Sequence, residues 1–184
     1  MAHTKLAFVV MAAAVMLLSS VATAQPEAPA RERHGLTFGL SLGGGAHSAS
    51  CDSCDAVGTV AVAIRIGWLL SPRFALLYDG SGFGGSPNGF NSSMHLVLAG
   101  AGQFWVMPRL WLKAGVGLAQ LDVNEGVFGQ QEREDQGLGL VGAVGYELMS
   151  LGRFELEVEA RTTVGFYDEK SVVGAGALLG LSWY

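Results

Sequence analysis

The chain predicts an all-β fold: an eight-stranded antiparallel up-and-down transmembrane β-barrel over residues 36–184. Three observations carry that expectation. Bulky apolar side chains alternate with small or polar ones at a period of two, which gives a strand two unlike faces. Tight turns alternate with longer polar connections, as in barrels that cross a membrane. The composition, with 27 glycines, five prolines, 50% hydrophobic and 15% charged residues in 184, is apolar for a soluble domain and poor for a helical bundle.

The first residues account for part of the hydrophobicity. Lys5 precedes an uncharged run over residues 6–18, and Ala22-Thr23-Ala24 supplies the small-x-small pattern read by a signal peptidase. The run is short for a spanning helix, so residues 1–24 are expected to be a removable secretory signal. Residues 25–35, with Pro26, Pro29 and mixed charge, are expected to be a short flexible leader in the periplasm. Loss of Lys5 with the signal leaves ten basic against 16 acidic residues, a net charge of −6. That balance gives no support to nucleic-acid binding.

From residue 36 the alternation runs through each strand in turn. The first, 36–46, sets Leu36, Phe38, Leu40 and Leu42 against Thr37, Gly39, Ser41 and Gly43. The second, 57–70, sets Val60, Val62, Ile64, Ile66 and Trp68 against Thr59, Ala61, Ala63 and Arg65. After Ser71-Pro72-Arg73 the third returns with Phe74, Leu76 and Tyr78 against Leu77, Asp79 and Ser81. The fourth, 93–107, opposes Met94, Leu96, Leu98, Phe104 and Val106 to His95, Val97, Ala99 and Gln103. Pro108-Arg109 leads into a fifth, in which Leu110, Leu112, Ala114, Val116 and Leu118 oppose Trp111, Lys113, Gly115 and Gly117. The sixth carries Leu138, Leu140, Val144, Tyr146 and Leu148 against Val141, Ala143 and Glu147. The seventh, 153–167, sets Phe154, Leu156, Val158, Ala160, Val164 and Phe166 against Glu155, Glu157, Glu159, Arg161 and Thr163. The last, 172–184, alternates Val173, Ala175, Ala177, Leu179, Leu181 and Trp183 with Gly174, Gly176, Gly180 and Ser182. Runs of about 9 to 11 residues cross a bilayer when tilted, whereas soluble strands typically have about five or six.

The turns near Pro72, Pro108 and Leu151 are tight, and the stretches 47–56, 82–92, 122–136 and 168–171 are expected to be loops on the other side. Each tight turn holds one arginine, Arg73, Arg109 or Arg153, suited to a headgroup layer. Trp68, Phe74, Phe104, Phe154 and Trp183 fall near that rim, as an interfacial aromatic girdle requires.

The parity that faces inward follows from volume. An eight-stranded barrel has an interior that side chains fill. The bulky parity would overfill it, whereas the Gly, Ala, Ser and Thr parity leaves space for a few long charged groups. The bulky parity therefore suits lipid, and a closed sheet satisfies every backbone group there. The lumen is expected to hold a charge network of Arg65, Asp79, Lys113, Glu147, Glu155, Glu157, Glu159 and Arg161. A hairpin centred on Pro72 puts Arg65 opposite Asp79 as a candidate cross-strand ion pair. Gly39, Gly43, Gly45, Gly174, Gly176 and Gly180 would leave room beside the long side chains. Two uses of the cluster stay open: a structural polar plug, and a narrow or gated path for small ions or solutes.

This pattern resembles the small eight-stranded outer-membrane barrels of Gram-negative bacteria, the OmpA/OmpX-type family of β-barrel domains. The resemblance covers residues 36–184 and rests on alternation, not on a signature motif. It implies an outer-membrane location, a surrounding of outer-membrane lipids and lipopolysaccharide, and insertion by the barrel-assembly machinery. That machinery reads a terminal aromatic preceded by alternating apolar positions. Here the chain ends Gly-Leu-Ser-Trp-Tyr, with the alternation running through Trp183 and not Tyr184. A monomer with no cofactor and a structural or surface-interaction role is the expectation. A small pore is the alternative and a lipid-modifying enzyme the third.

Cys51 and Cys54 in the first loop are expected to form a local disulfide in an exported protein. A thiol redox motif would want a helix N-terminus, and metal binding through His47, Asp52 or Asp55 lacks a zinc spacing, so no metal is expected. His47 and His95 with nearby serines supply no G-x-S-x-G elbow and no evident catalytic triad. Asp122, Glu125, Glu132, Glu134 and Asp135 against Arg133 make an acidic loop whose ordinary reading is solvated surface, the alternative being a share in the divalent cations of a lipopolysaccharide layer.

Overall fold

Strands with one bulky face and one small face curl with the small face inward, and eight of them close. The computed structural model describes residues 33–50, 56–85, 92–125, 131–168 and 170–184, all within the compact unit Arg31–Tyr184. Residues 1–24, most of the leader, and both Cys51 and Cys54 lie outside the described residues. The strands are β1 (Gly35–Ala49), β2 (Val57–Ser71), β3 (Phe74–Gly85), β4 (Ser92–Trp105), β5 (Leu110–Glu125), β6 (Gln131–Leu151), β7 (Phe154–Phe166) and β8 (Ser171–Trp183). Each pairs antiparallel with the next, and β8 pairs with β1 to close the barrel. The eight-stranded up-and-down architecture is the one the alternation predicts.

Three expected loops are cut short by strand: residues 47–49 extend β1 and residues 82–85 extend β3, which brings His47 and Phe83 into the wall, and the largest change lies between β5 and β6. Residues 122–136 are mostly paired strand, with Gln120 opposite Gln136 and Glu125 opposite Gln131. The β5–β6 hairpin therefore continues past the last apolar rungs as a hydrogen-bonded ribbon.

The hairpin ends explain the register. Gly152 has φ +70° and Arg153, its neighbour in the two-residue connection between Leu151 and Phe154, has a negative φ. A positive φ at the first central position belongs to a type II′ turn, whose twist matches that of the strands. Two bulges interrupt the ladder near this end, between Leu69 and Ser71 and between Glu147 and Met149. The second turns both Leu148 and Met149 outward.

The outer face is an apolar belt. Ile64 is 60% exposed and Leu118 72%, and Leu42, Leu76, Val116, Leu138 and Leu179 are likewise exposed. Apolar surface this continuous on a closed sheet is a surface for hydrocarbon. Among the expected girdle residues, Trp68, Phe104 and Phe154 are exposed, and Phe74 and Trp183 are half-buried on the same outward parity. Phe74 stands opposite Phe104, Phe154 opposite Trp183, and Trp183 stacks on Phe38 with ring centroids 5.6 Å apart. All lie toward the end that carries the short turns.

Candidate functional site in the barrel lumen

Inward positions of all eight strands build the lumen, which is layered along the barrel. At the end with the short turns, Glu147 on β6 accepts hydrogen bonds from Arg33 Nη2 at 2.5 Å and from Trp105 Nε1 at 2.8 Å. Arg33 also donates to the Pro108 carbonyl at 2.8 Å, and its guanidinium stands 4.8 Å from the Trp105 ring centre and 5.6 Å from that of Tyr184. Trp105 and Tyr184 meet edge to face. Glu155 is buried at 3% exposure, opposite Ser182 and Ser150 in the wall.

The next layer centres on Arg65 of β2. Its guanidinium reaches across to β7, donating to Glu157 Oε1 and, at 3.3 Å, to Glu159 Oε2, and it also donates to Ser182 Oγ. Trp111 Nε1 donates to the other Glu157 oxygen at 3.1 Å, and the Trp111 ring lies 5.1 Å from the Arg65 guanidinium. Glycines make this approach possible. A Cβ on Gly39 would sit 2.6 Å from Arg65 Nε, and one on Gly145 would sit 2.1 Å from Trp111 Cζ2.

Asp79 of β3 is the centre of the third layer. Lys113 Nζ donates to Oδ2 at 2.6 Å, Arg161 Nη1 donates to Oδ1 at 2.5 Å, and Ser81 Oγ donates to Oδ1 at 3.0 Å. Arg161 Nε also donates to Glu159. One chain of ion pairs thus runs Glu157–Arg65–Glu159–Arg161–Asp79–Lys113. Unpaired buried charges carry a desolvation cost of several kcal/mol each, and every member of this chain has at least one opposite charge as its partner.

The expected Arg65–Asp79 ion pair is corrected by these contacts. The two residues are opposite in the wall, yet each ion-pairs across the lumen with other partners. The glycine expectation also divides. Gly39, Gly174, Gly176 and Gly180 border Arg65, Phe83 or Glu157, whereas Gly43 and Gly45 face the β8 backbone, where a Cβ would be 2.0 and 2.3 Å from carbonyl oxygens.

Above the charges the lumen turns apolar and then aromatic. Phe83, with Ala61, Ala63 and Leu178, forms a buried cluster. Beyond it, His47 Nε2 is 2.9 Å from Ser93 Oγ, and His95 Nδ1 is 3.1 Å from the Tyr167 hydroxyl. Burial, then the charges of Asp135 and Asp122, push the Tyr167 phenol up to about 12. The Ser93–His47 contact lacks the orienting acid of a hydrolytic triad, since His47 Nδ1 has no hydrogen-bond partner among the described residues.

The comparisons with known proteins agree with this architecture. No family model and no curated protein sequence matches the chain. Among solved structures, Ail, the attachment invasion locus protein of Yersinia pestis, matches with TM-score 0.58 at 10% identity, covering 82% of this chain and 100% of that one. Ail in complex with the heparin analogue sucrose octasulfate matches with TM-score 0.55 at 11% identity, again over 82% and 100%. Neisserial surface protein A matches with TM-score 0.56 at 13% identity, covering 79% of this chain and 96% of that one. The fold is that of a small outer-membrane barrel.

Within this outer-membrane barrel fold, Arg33 and Trp105 are lumen residues that the sequence reading left out, and Trp111, already on the inward parity, takes a part in the charge network that it did not foresee. Arg33, grouped with the leader by composition, is 5% exposed and bound to Glu147. Trp105 and Trp111 are 2% and 0% exposed and donate to lumen carboxylates. Their signal was parity: Trp105 follows Gln103 by two residues, and Trp111 precedes Lys113 by two. Arg33 carried no such signal because it precedes the first alternating run.

Proposed function

We propose that this protein is a closed outer-membrane barrel with a structural or surface-interaction role and no catalytic step, its lumen sealed by the charged network. The observation that carries the reading is the ion-pair chain from Glu157 to Lys113, which joins β2, β3, β5 and β7 across the interior with buried members. Large rings reinforce it above and below, with Phe83 on one side and Trp105 and Trp111 on the other. A hydrated path would have to break several buried charge-assisted hydrogen bonds at once, and each is worth about 1.5–3 kcal/mol.

The parts offered to a partner lie beyond the apolar belt. The β5–β6 ribbon carries Asp122, Glu134 and Asp135, with Lys170 Nζ 2.8 Å from Asp135. An acidic ribbon favours cationic surfaces or divalent cations shared with lipopolysaccharide, and disfavours polyanions of the heparin type. Outer-membrane lipids and lipopolysaccharide would surround the monomeric barrel, and the barrel-assembly machinery would insert it.

Planar-bilayer recording tests the seal. The purified full chain is expected to give no unitary current steps at neutral pH. Sustained steps whose amplitude changes on replacing Arg161 or Lys113 with Ala would overturn the sealed lumen and establish the ion path.

A further inference from the structure

The outer layer of the lumen contains two buried imidazoles arranged in the same way. His47 on β1 is 6% exposed and His95 on β4 is 0% exposed. Each has one ring nitrogen on a neutral hydroxyl, Ser93 for His47 Nε2 and Tyr167 for His95 Nδ1. Each has its other nitrogen, Nδ1 of His47 and Nε2 of His95, buried without a partner among the described residues. Ser93, which holds His47, shares the inward face of β4 with His95 at a spacing of two residues, so the His47 ring reaches across to the strand that carries His95.

A third orphan lies close by. Thr163 Oγ1 is buried without a partner on the rung that also holds Gly174 and His47, and a Cβ on Gly174 would sit 2.8 Å from it. The next inward residue of β7 is Gly165, where a Cβ would sit 2.8 Å from His95 Cε1 and 2.7 Å from the Tyr167 hydroxyl. Three of the seven buried side-chain polar atoms without a partner among the described residues thus belong to this outer layer, the others being on Arg33, Thr59, Gln103 and Tyr184. Buried polar atoms are generally paired, and leaving one unmade costs about 1–3 kcal/mol.

Histidines that hold a metal characteristically donate one ring N–H to an oxygen, which fixes the tautomer and turns the other nitrogen's lone pair toward the ion. If Ser93 and Tyr167 accept those N–H groups, the orphaned nitrogens of His47 and His95 carry the free lone pairs. We propose that His47 and His95 bind a divalent transition-metal ion of imidazole preference, copper or zinc in class, in the outer part of the lumen. Among the described residues no group of three or more His, Cys, Asp or Glu is poised for a metal, so two nitrogens form half of the shell. Water completes it, with the Thr163 hydroxyl as a neutral oxygen at hand. Such an ion would join β1 to β4 above the charge network. Asp122 and Asp135, whose charges reach Tyr167, supply negative potential at the mouth.

Copper(II) is the probe, because it forms the tightest complexes in the divalent series with such ligands. The full chain, refolded in detergent and stripped with chelator, is titrated with copper chloride and followed by electron paramagnetic resonance. One copper per barrel is expected, with a spectrum showing coupling to two imidazole nitrogens. His47→Ala and His95→Ala should each weaken binding at least tenfold, and Tyr167→Phe about 10- to 100-fold through loss of the orienting hydroxyl. His34→Ala and the Cys51→Ser/Cys54→Ser pair should leave it unchanged. A wild-type spectrum without two-nitrogen coupling would overturn the site even if a histidine variant failed to fold. So would wild-type affinity in folded His95→Ala, or loss of binding in the double serine variant.

Discussion

Asp79 shows how much a single lumen residue decides. Its two oxygens accept from Lys113, Arg161 and Ser81, and it is fully buried. Asp79→Ala takes the carboxylate from Lys113 and leaves Arg161 with Glu159 alone, and breaking such a buried pair from one side costs about 3–5 kcal/mol. Urea unfolding in lipid vesicles should show that loss. Asp79→Asn keeps the shape and one acceptor and should cost less, whereas equal midpoints for wild type and Asp79→Ala would mean that the network contributes nothing net. The sequence located the residue but not its partners. Turn arithmetic yields neighbours along the wall, and Arg65 does stand opposite Asp79 there. Inside a narrow barrel, however, an arginine is long enough to cross to strands that share no hydrogen bond with its own. Arg65 on β2 reaches β7 and Arg161 on β7 reaches β3, and no linear spacing encodes those chords.

At the scale of elements, the β5–β6 pair shows both a legible and an illegible half. Within hydrocarbon the alternation of Leu112, Val116 and Leu118 with Lys113, Gly115 and Gly117 marks the strand plainly. Past Val123 the pairing continues to Glu125 and Gln131, yet the period of two fades. Beyond the bilayer neither face of a ribbon needs apolar side chains, so a polar stretch reads as loop while its backbone remains paired. The packing of Trp111 was hidden for a related reason. Parity places the ring inside, but the glycine that receives it belongs to the neighbouring strand, with Gly145 opposite Trp111. Gly145→Ala is expected to destabilise the barrel by about 1–3 kcal/mol through overpacking, since the new Cβ would lie 2.1 Å from the ring. Trp111→Leu removes both the ring and the hydrogen bond to Glu157. In a double-mutant cycle the second change should therefore relieve part of the first, and strict additivity in vesicle unfolding would place the strain elsewhere.

For the whole molecule, the eight alternating runs and their lengths made the fold readable, because a barrel in lipid repeats one constraint around its full circumference. The same constraint predicts a dependence on depth. Val116 is exposed on the outer face and lies four residues along β5 from Leu112, which stands opposite the girdle residue Phe104. With a rise of roughly 3.4 Å per residue and a tilt of about 40°, that puts Val116 about 10 Å above the girdle, near the middle of an apolar band about 25 Å tall. Met107 is equally exposed but sits in the turn below the girdle. An arginine at the midplane of such a barrel costs about 2–4 kcal/mol, and one near the interface about 0–1. Val116→Arg should therefore shift the urea midpoint in vesicles strongly and Met107→Arg weakly. In detergent micelles, which deform around the charge, the gap should narrow. A soluble barrel would show no such dependence on depth, because both positions would then face water, and two equal small shifts in vesicles would remove the bilayer from the account of this fold.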